Sequence, residues 1–60
     1  MTSKKEIRHL AGEVYMYRVA RRIGKKYPVQ RDIEVATKFF NGGWEKKDLY
    51  SWLTEHEKEL

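Results

Sequence analysis

The chain has 60 residues, of which 40% are hydrophobic and 13% aromatic, and its formal net charge is +4 at pH 7. This length limits it to one domain with a small core, and the aromatic content argues against intrinsic disorder. Because there is no cysteine and the two histidines, His9 and His56, are far apart in sequence, disulfides and cysteine-based metal sites are excluded, and we expect no metal and no cofactor.

The beginning of the chain bears on its location. The segment MTSKKEIRHLAGEV carries charges but no continuous apolar stretch, so we expect no signal peptide. No apolar run approaches the roughly 18 residues that cross a membrane. The expected location is the cytoplasm, or the host cytoplasm if the gene is viral.

The first predicted helix covers 4–26. Ser3 and Glu6 have the spacing of a capping box, in which the two side chains satisfy free amides at the helix start. Pro28 disfavours helical geometry at Tyr27 and so ends the helix before it.

The apolar face of this first helix changes sides near its middle. An ordinary amphipathic helix keeps one apolar face. Three interpretations remain open: a kink, burial all round near Tyr15–Tyr17, or an uninterrupted helix that packs on two partners. We favour the last, with a neighbouring subunit as one possible partner. The first face holds Ile7, Leu10, Ala11, Val14, Tyr15 and Tyr17, and the second holds Met16, Val19, Ala20, Ile23 and Tyr27.

The second predicted helix covers 29–40. Pro28 suits the first position of a helix, where its missing N–H costs nothing. The apolar positions Val29, Ile33, Ala36 and Phe40 recur at helical spacing. Asn41–Gly43 then supplies residues that end a helix. A β-hairpin over KFFNGGWEK is the competing interpretation, since Asn-Gly is a favoured hairpin turn.

The third predicted helix covers 45–58, with an apolar face formed by Leu49, Trp52, Leu53, His56 and Leu60. Together the three segments predict an all-α fold: a single helical domain over 1–60. It has a long N-terminal helix followed by a pair of helices laid out like a helix-turn-helix. As a recognition helix the third segment is poor, because residues 44–60 hold five acidic and three basic side chains.

Charge is distributed unevenly along the chain. Residues 1–31 hold nine Lys or Arg and two Glu, a net +7, whereas residues 32–60 hold four Lys and seven acids, a net −3. On a continuous helix, Arg18, Arg21, Arg22 and Lys25 would form one basic ridge, with Lys26 at its edge and Arg31 after Pro28. Such a ridge suits the phosphates of nucleic acid, DNA in particular, through the backbone rather than the bases.

The aromatic residues suggest a second hypothesis. Tyr, Trp, Met and Arg are enriched in protein interfaces, and Trp44 and Tyr50 lie off the apolar face of the third helix. An adaptor or inhibitor could therefore dock an acidic protein through the same ridge, with contacts from Tyr15, Tyr17, Trp44 and Tyr50. A structural homo-oligomer is the third possibility. Whichever hypothesis holds, we expect a dimer, because so small a core benefits from association.

We predict no enzymatic activity. Gly42–Gly43 lacks the strand and lysine of a phosphate-binding loop, and neither Ser3 nor Ser51 has a base at an obvious spacing. His9 lies one helical turn from Glu13, which is typical of a surface pair, and His56 borders the predicted core.

Overall fold

A computed structural model describes residues 3–60, with side chains from Lys4 onward. Three α-helices follow one another: α1 (Ser3–Arg21), α2 (Gln30–Asn41) and α3 (Leu49–Glu55), and α3 lies between two short 3₁₀ helices, Lys46–Asp48 and Glu57–Glu59. The described part of the chain contains no strand. The all-α, three-helix prediction is therefore confirmed, and the hairpin alternative is wrong. Within residues 3–60, no helix is long and apolar enough to cross a membrane.

Helix α1 ends at Arg21, before the predicted end at residue 26. Arg22 has a φ of +58°, and the Ile23 N–H donates to the Arg18 carbonyl at 2.8 Å while the Arg22 N–H donates to Val19 at 3.1 Å. These two bonds with a left-handed residue make a Schellman motif, in which glycine usually occupies the left-handed position. Arginine stands there instead, so the sequence carried no stop signal. The predicted capping box rests on the Ser3 side chain, which lies outside the described part of the chain.

The core is formed by one face of each helix. Helix α1 is continuous over Ser3–Arg21, and because Met16, between Tyr15 and Tyr17, is exposed, burial all round does not explain its pattern. The first predicted face packs in the core, whereas on the second face Met16 remains 58% exposed and Tyr27 57% exposed. The buried apolar residues are Leu10, Ala11, Val14, Tyr17, Val35, Ala36, Phe39, Leu49, Trp52 and Leu53.

Helix α2 is rotated relative to its predicted face. Ile33 is 41% exposed and Phe40 only partly buried, although both were expected in the core. Ala36 is buried as predicted, and Asp32, Val35 and Phe39 face inward with it. The predicted face followed apolar residues alone and so did not include Asp32, whose carboxylate the structure buries.

The predicted third helix is broken into three pieces, so its continuous span over 45–58 is wrong. Its central apolar positions are nevertheless correct, because Leu49, Trp52 and Leu53 are buried. The imidazole of His56 stacks on the Trp52 indole with ring centroids 4.0 Å apart, so His56 lies at the core edge as expected.

Candidate nucleic-acid interface

The connection between α1 and α2 concentrates exposed positive charge. Between Glu13 and Asp32 the sequence contains no acidic residue. We use the name basic loop for residues 22–29, which join the two helices. The exposed cations on this loop and at its two ends are Arg21, Arg22, Lys25, Lys26 and Arg31.

Arg18 does not belong to this exposed set. Its side chain is 2% exposed and forms a two-bond ion pair with Asp32, whose side chain is 1% exposed. Nε donates to Oδ1 at 2.6 Å and Nη2 to Oδ2 at 2.7 Å. The prediction that Arg18 contacts phosphate is therefore corrected, because its guanidinium would have to leave a buried partner. The single helical ridge is wrong as well, since α1 ends before Arg22.

The remaining Arg18 donors hold the basic loop in place. Nη1 donates to the carbonyls of Ile23 at 3.0 Å and Lys25 at 2.7 Å, and Nη2 donates to the Tyr27 carbonyl at 3.0 Å. All five N–H groups of the guanidinium are thereby used. The loop backbone is consequently fixed from inside, while its lysine side chains remain exposed.

Asp32 also terminates the loop on the side of α2. Its Oδ2 accepts from the Val29 N–H at 3.0 Å, which satisfies one free amide at the helix start. The hydrogen bond with Asp32 raises the pKa of Arg18 above its ordinary value, despite the opposing effect of burial. The charged form of Arg18 is therefore favoured in the folded protein.

The exposed cations differ in how they are engaged. Arg21 lies 3.3 Å from a Glu57 carboxylate oxygen. Arg31 pairs with Glu34 at 3.1 Å and donates to the Glu59 carbonyl at 2.6 Å.

Among residues 3–60, no carboxylate pairs with Arg22, Lys25 or Lys26. Exposed ion pairs contribute little free energy, so those of Arg21 and Arg31 can be exchanged for a phosphate at small cost.

The four predicted partner-contact aromatics are divided between interior and surface. Tyr17 is 6% exposed, and its hydroxyl bonds to Thr54 and Glu57, so it offers no contact surface. Tyr15 is half-buried, and its hydroxyl donates to the Lys26 carbonyl at 3.0 Å, which adds a second anchor for the basic loop. Trp44 and Tyr50 are each 49% exposed, in agreement with the expectation that they lie outside the core.

Asp32 was the functional residue that the sequence reasoning missed. A signal was available, because Arg18 follows Leu10, Val14 and Tyr17 at helical spacing and so continues the core face of α1. A cation buried at a core position of one helix is stable only when an acid at a core position of another helix pairs with it. Residues 3–60 contain no group of three or more His, Asp or Glu side chains placed to hold a metal ion.

No protein-family model matches the chain, and no curated protein or solved structure shows significant similarity to it.

Proposed function

We propose that this chain is a small non-enzymatic protein that binds nucleic acid, DNA in the first instance, through phosphate contacts from the basic loop and its two ends. The observation that supports the proposal is the combination of unpaired exposed cations, Arg22, Lys25 and Lys26, with a loop backbone that buried Arg18 holds from inside. A loop that is ordered before binding loses less conformational entropy when the ligand arrives.

The contacts proposed here address the phosphate backbone. Duplex DNA presents one negative charge per roughly 1.7 Å of axis, so several closely spaced cations meet several phosphates. Helix α3 is a poor reader of base edges, because it has only seven residues and is followed by Glu57 and Glu59. Binding is therefore expected to depend on salt far more than on base sequence.

Fluorescence anisotropy with a labelled duplex and a labelled single strand tests the proposal. Three to five phosphate contacts predict a log–log salt slope of about −2.7 to −4.5 on duplex. Between about 50 mM and about 200 mM salt the affinity should then fall by about 40- to 500-fold. Absence of binding to both polymers at the lower salt concentration would contradict the proposal.

A matched pair of variants separates the loop from net charge. The loop variant carries Lys25→Glu and Lys26→Glu, and the control carries Lys47→Glu and Lys58→Glu. Both variants change the formal net charge from +4 to 0, because each substitution lowers the net charge by two. All four side chains are exposed. The loop variant should lose nearly all binding and the control only a part. An equal loss in both would show that net charge alone, and not the basic loop, attracts the nucleic acid.

A protein partner is the second candidate function, favoured by the apolar surface beside the cations. Met16 is 58% exposed and Tyr27 57% exposed, and each offers an apolar contact to an acidic protein. A pull-down from lysate with this chain as bait, after nuclease treatment, tests this candidate. If the anisotropy measurement shows no binding, recovery of one stoichiometric protein by the wild-type chain and not by the Lys25/Lys26 variant would favour it.

The dimer also stays a prediction, drawn from the exposed apolar residues of α1. Val19 is 37% exposed and lies one turn from Met16. Sedimentation of the wild-type protein and of Met16→Glu at micromolar concentration tests it. If both proteins sediment as monomers, the predicted dimer and the hypothesis of a structural homo-oligomer are both contradicted.

A further inference from the structure

A groove lies between the first turns of α1 and the end of α2, away from the basic loop. Its volume is about 530 Å³. Leu10, Phe39 and Phe40 line it with apolar surface, Trp44 lines it with an indole, and Lys5 and Lys46 contribute cations. We call it the Trp44 groove.

The indole of Trp44 is half-exposed and yet held in place. A Cβ added to Gly42 would lie 1.6 Å from Cζ3 of Trp44, so the ring occupies the space that a side chain at position 42 would need. The indole also stacks against Phe39 with ring centroids 5.9 Å apart, and it lies 5.7 Å from the Trp52 ring. A flat aromatic surface fixed in this way loses little rotamer freedom when a ligand stacks on it.

Positive charge is held beside this indole. Nζ of Lys46 lies 2.6 Å from Nε2 of His9, so the His9 ring holds the lysine side chain beside the groove. Lys5 is exposed at the same groove, and Glu6 is the carboxylate among the lining residues. Cations thus outnumber acids there by two to one, which favours an anionic ligand.

We infer that the Trp44 groove takes one unpaired base of a nucleic-acid strand, stacked on Trp44, with an adjacent phosphate at Lys46 or Lys5. This inference rests on the proposed function and specifies its ligand as a single strand. A fixed aromatic ring beside cations is the general way in which proteins hold single strands without reading sequence. Bases in a duplex are already stacked on both sides and must be extruded, at a cost in free energy, before they can reach such a ring.

The two surfaces are separated by the length of α2. Its twelve residues rise about 18 Å from the basic loop to the groove. A strand of about ten nucleotides, within the site sizes of small single-strand-binding domains, can reach both. The basic loop then supplies the salt-dependent part of the affinity, and Trp44 supplies the preference for a single strand.

The test compares Trp44→Ala with Tyr50→Ala, because Trp44 and Tyr50 are both 49% exposed and only Trp44 lines the groove. Trp44→Ala should weaken binding of a labelled single strand about 5- to 150-fold, the loss expected for one stacked base. It should leave duplex binding unchanged, and Tyr50→Ala should change neither. Lys46→Gln should lower the magnitude of the single-strand salt slope by about 0.7, the value for one contact.

A second measurement applies if Trp44→Ala fails to fold, as judged by circular dichroism. Trp52→Phe leaves Trp44 as the one tryptophan, since the chain holds two, and its emission should be quenched by single strand and not by duplex.

The outcomes separate the two proposals. Salt-dependent binding by the wild-type protein, with no selective single-strand loss in Trp44→Ala or with no quenching of Trp44, overturns this inference and leaves the proposed function standing. Absence of binding to either polymer by the wild-type protein overturns both.

Discussion

The guanidinium of Arg18 in α1 and the carboxylate of Asp32 in α2 form a buried ion pair through two hydrogen bonds of 2.6 and 2.7 Å. The same pair organises the chain between the helices, since Arg18 also donates to three carbonyls of the basic loop and Asp32 accepts from Val29. One interaction thereby holds two helices together and shapes the surface that we propose for phosphate binding.

Removing one member of this pair should be severely destabilising. Asp32→Leu leaves the Arg18 cation buried without a partner, and Arg18→Met does the same to the carboxylate, so we expect a loss of about 3–5 kcal/mol in each case. Most of the stability of a domain this small would then be gone. Urea unfolding followed by circular dichroism measures the loss.

The double variant Arg18→Met/Asp32→Leu serves as the control. It leaves no unpaired buried charge, so its loss should be clearly smaller than the sum of the two single losses. Strict additivity would show that the two side chains act independently and would contradict the role assigned to the pair.

Arg22→Gly should stabilise the protein. The φ of +58° at Arg22 is unfavourable for a side chain with a Cβ and natural for glycine. We expect a gain of up to about 1 kcal/mol, or about 4–8 °C in Tm for a chain of this size. Thermal unfolding followed by circular dichroism measures it.

Arg22→Ala removes the same charge but keeps the Cβ, so it provides the control and should give no such gain. If both variants shift Tm equally, the effect comes from charge and not from backbone conformation.

Gly42→Ala should destabilise the protein through Trp44. The backbone at Gly42 has φ −75° and ψ −12°, which alanine adopts readily, so the cost comes from displacing the indole that fills the Cβ position. A shift in tryptophan emission should accompany the lower Tm. In a Trp44→Ala background the same change should cost nothing, because the obstructing ring is gone. A cost that persists in that background would place the strain elsewhere.

The hydrogen bond between Tyr50 and Glu13, 2.8 Å long, should make stability sensitive to alkaline pH. Bonding to the Glu13 carboxylate raises the pKa of Tyr50 above its ordinary value of 10.0. A raised pKa means that the stabilisation is complete below about pH 10. It is lost as the pH rises through the folded-state pKa.

Comparison with Tyr50→Phe measures this effect. The variant should have a lower Tm at neutral pH, by a small amount because Tyr50 is half-exposed, and the difference should shrink as the pH rises above about pH 10. A difference that does not change with pH would contradict the assignment.

The sequence alone determined the fold class and the composition of the surface. Helical spacing of apolar residues predicted three helices and the buried positions Leu49, Trp52 and Leu53, because that periodicity is a local property of the chain. The exposed cations Lys25 and Lys26 also follow from the sequence, since no acid lies near them in the chain.

Only the tertiary structure decided which charges face inward. A lone arginine at a core position is unfavourable to bury, and it becomes favourable only when an acid arrives from another helix. Asp32 is 14 positions away from Arg18, beyond the reach of any helical pattern. Their pairing turned α2 away from its predicted face, removed Arg18 from the surface and anchored the basic loop after the early end of α1. The position of the Trp44 indole likewise depends on its own packing over Gly42, a close contact that the order of residues does not specify.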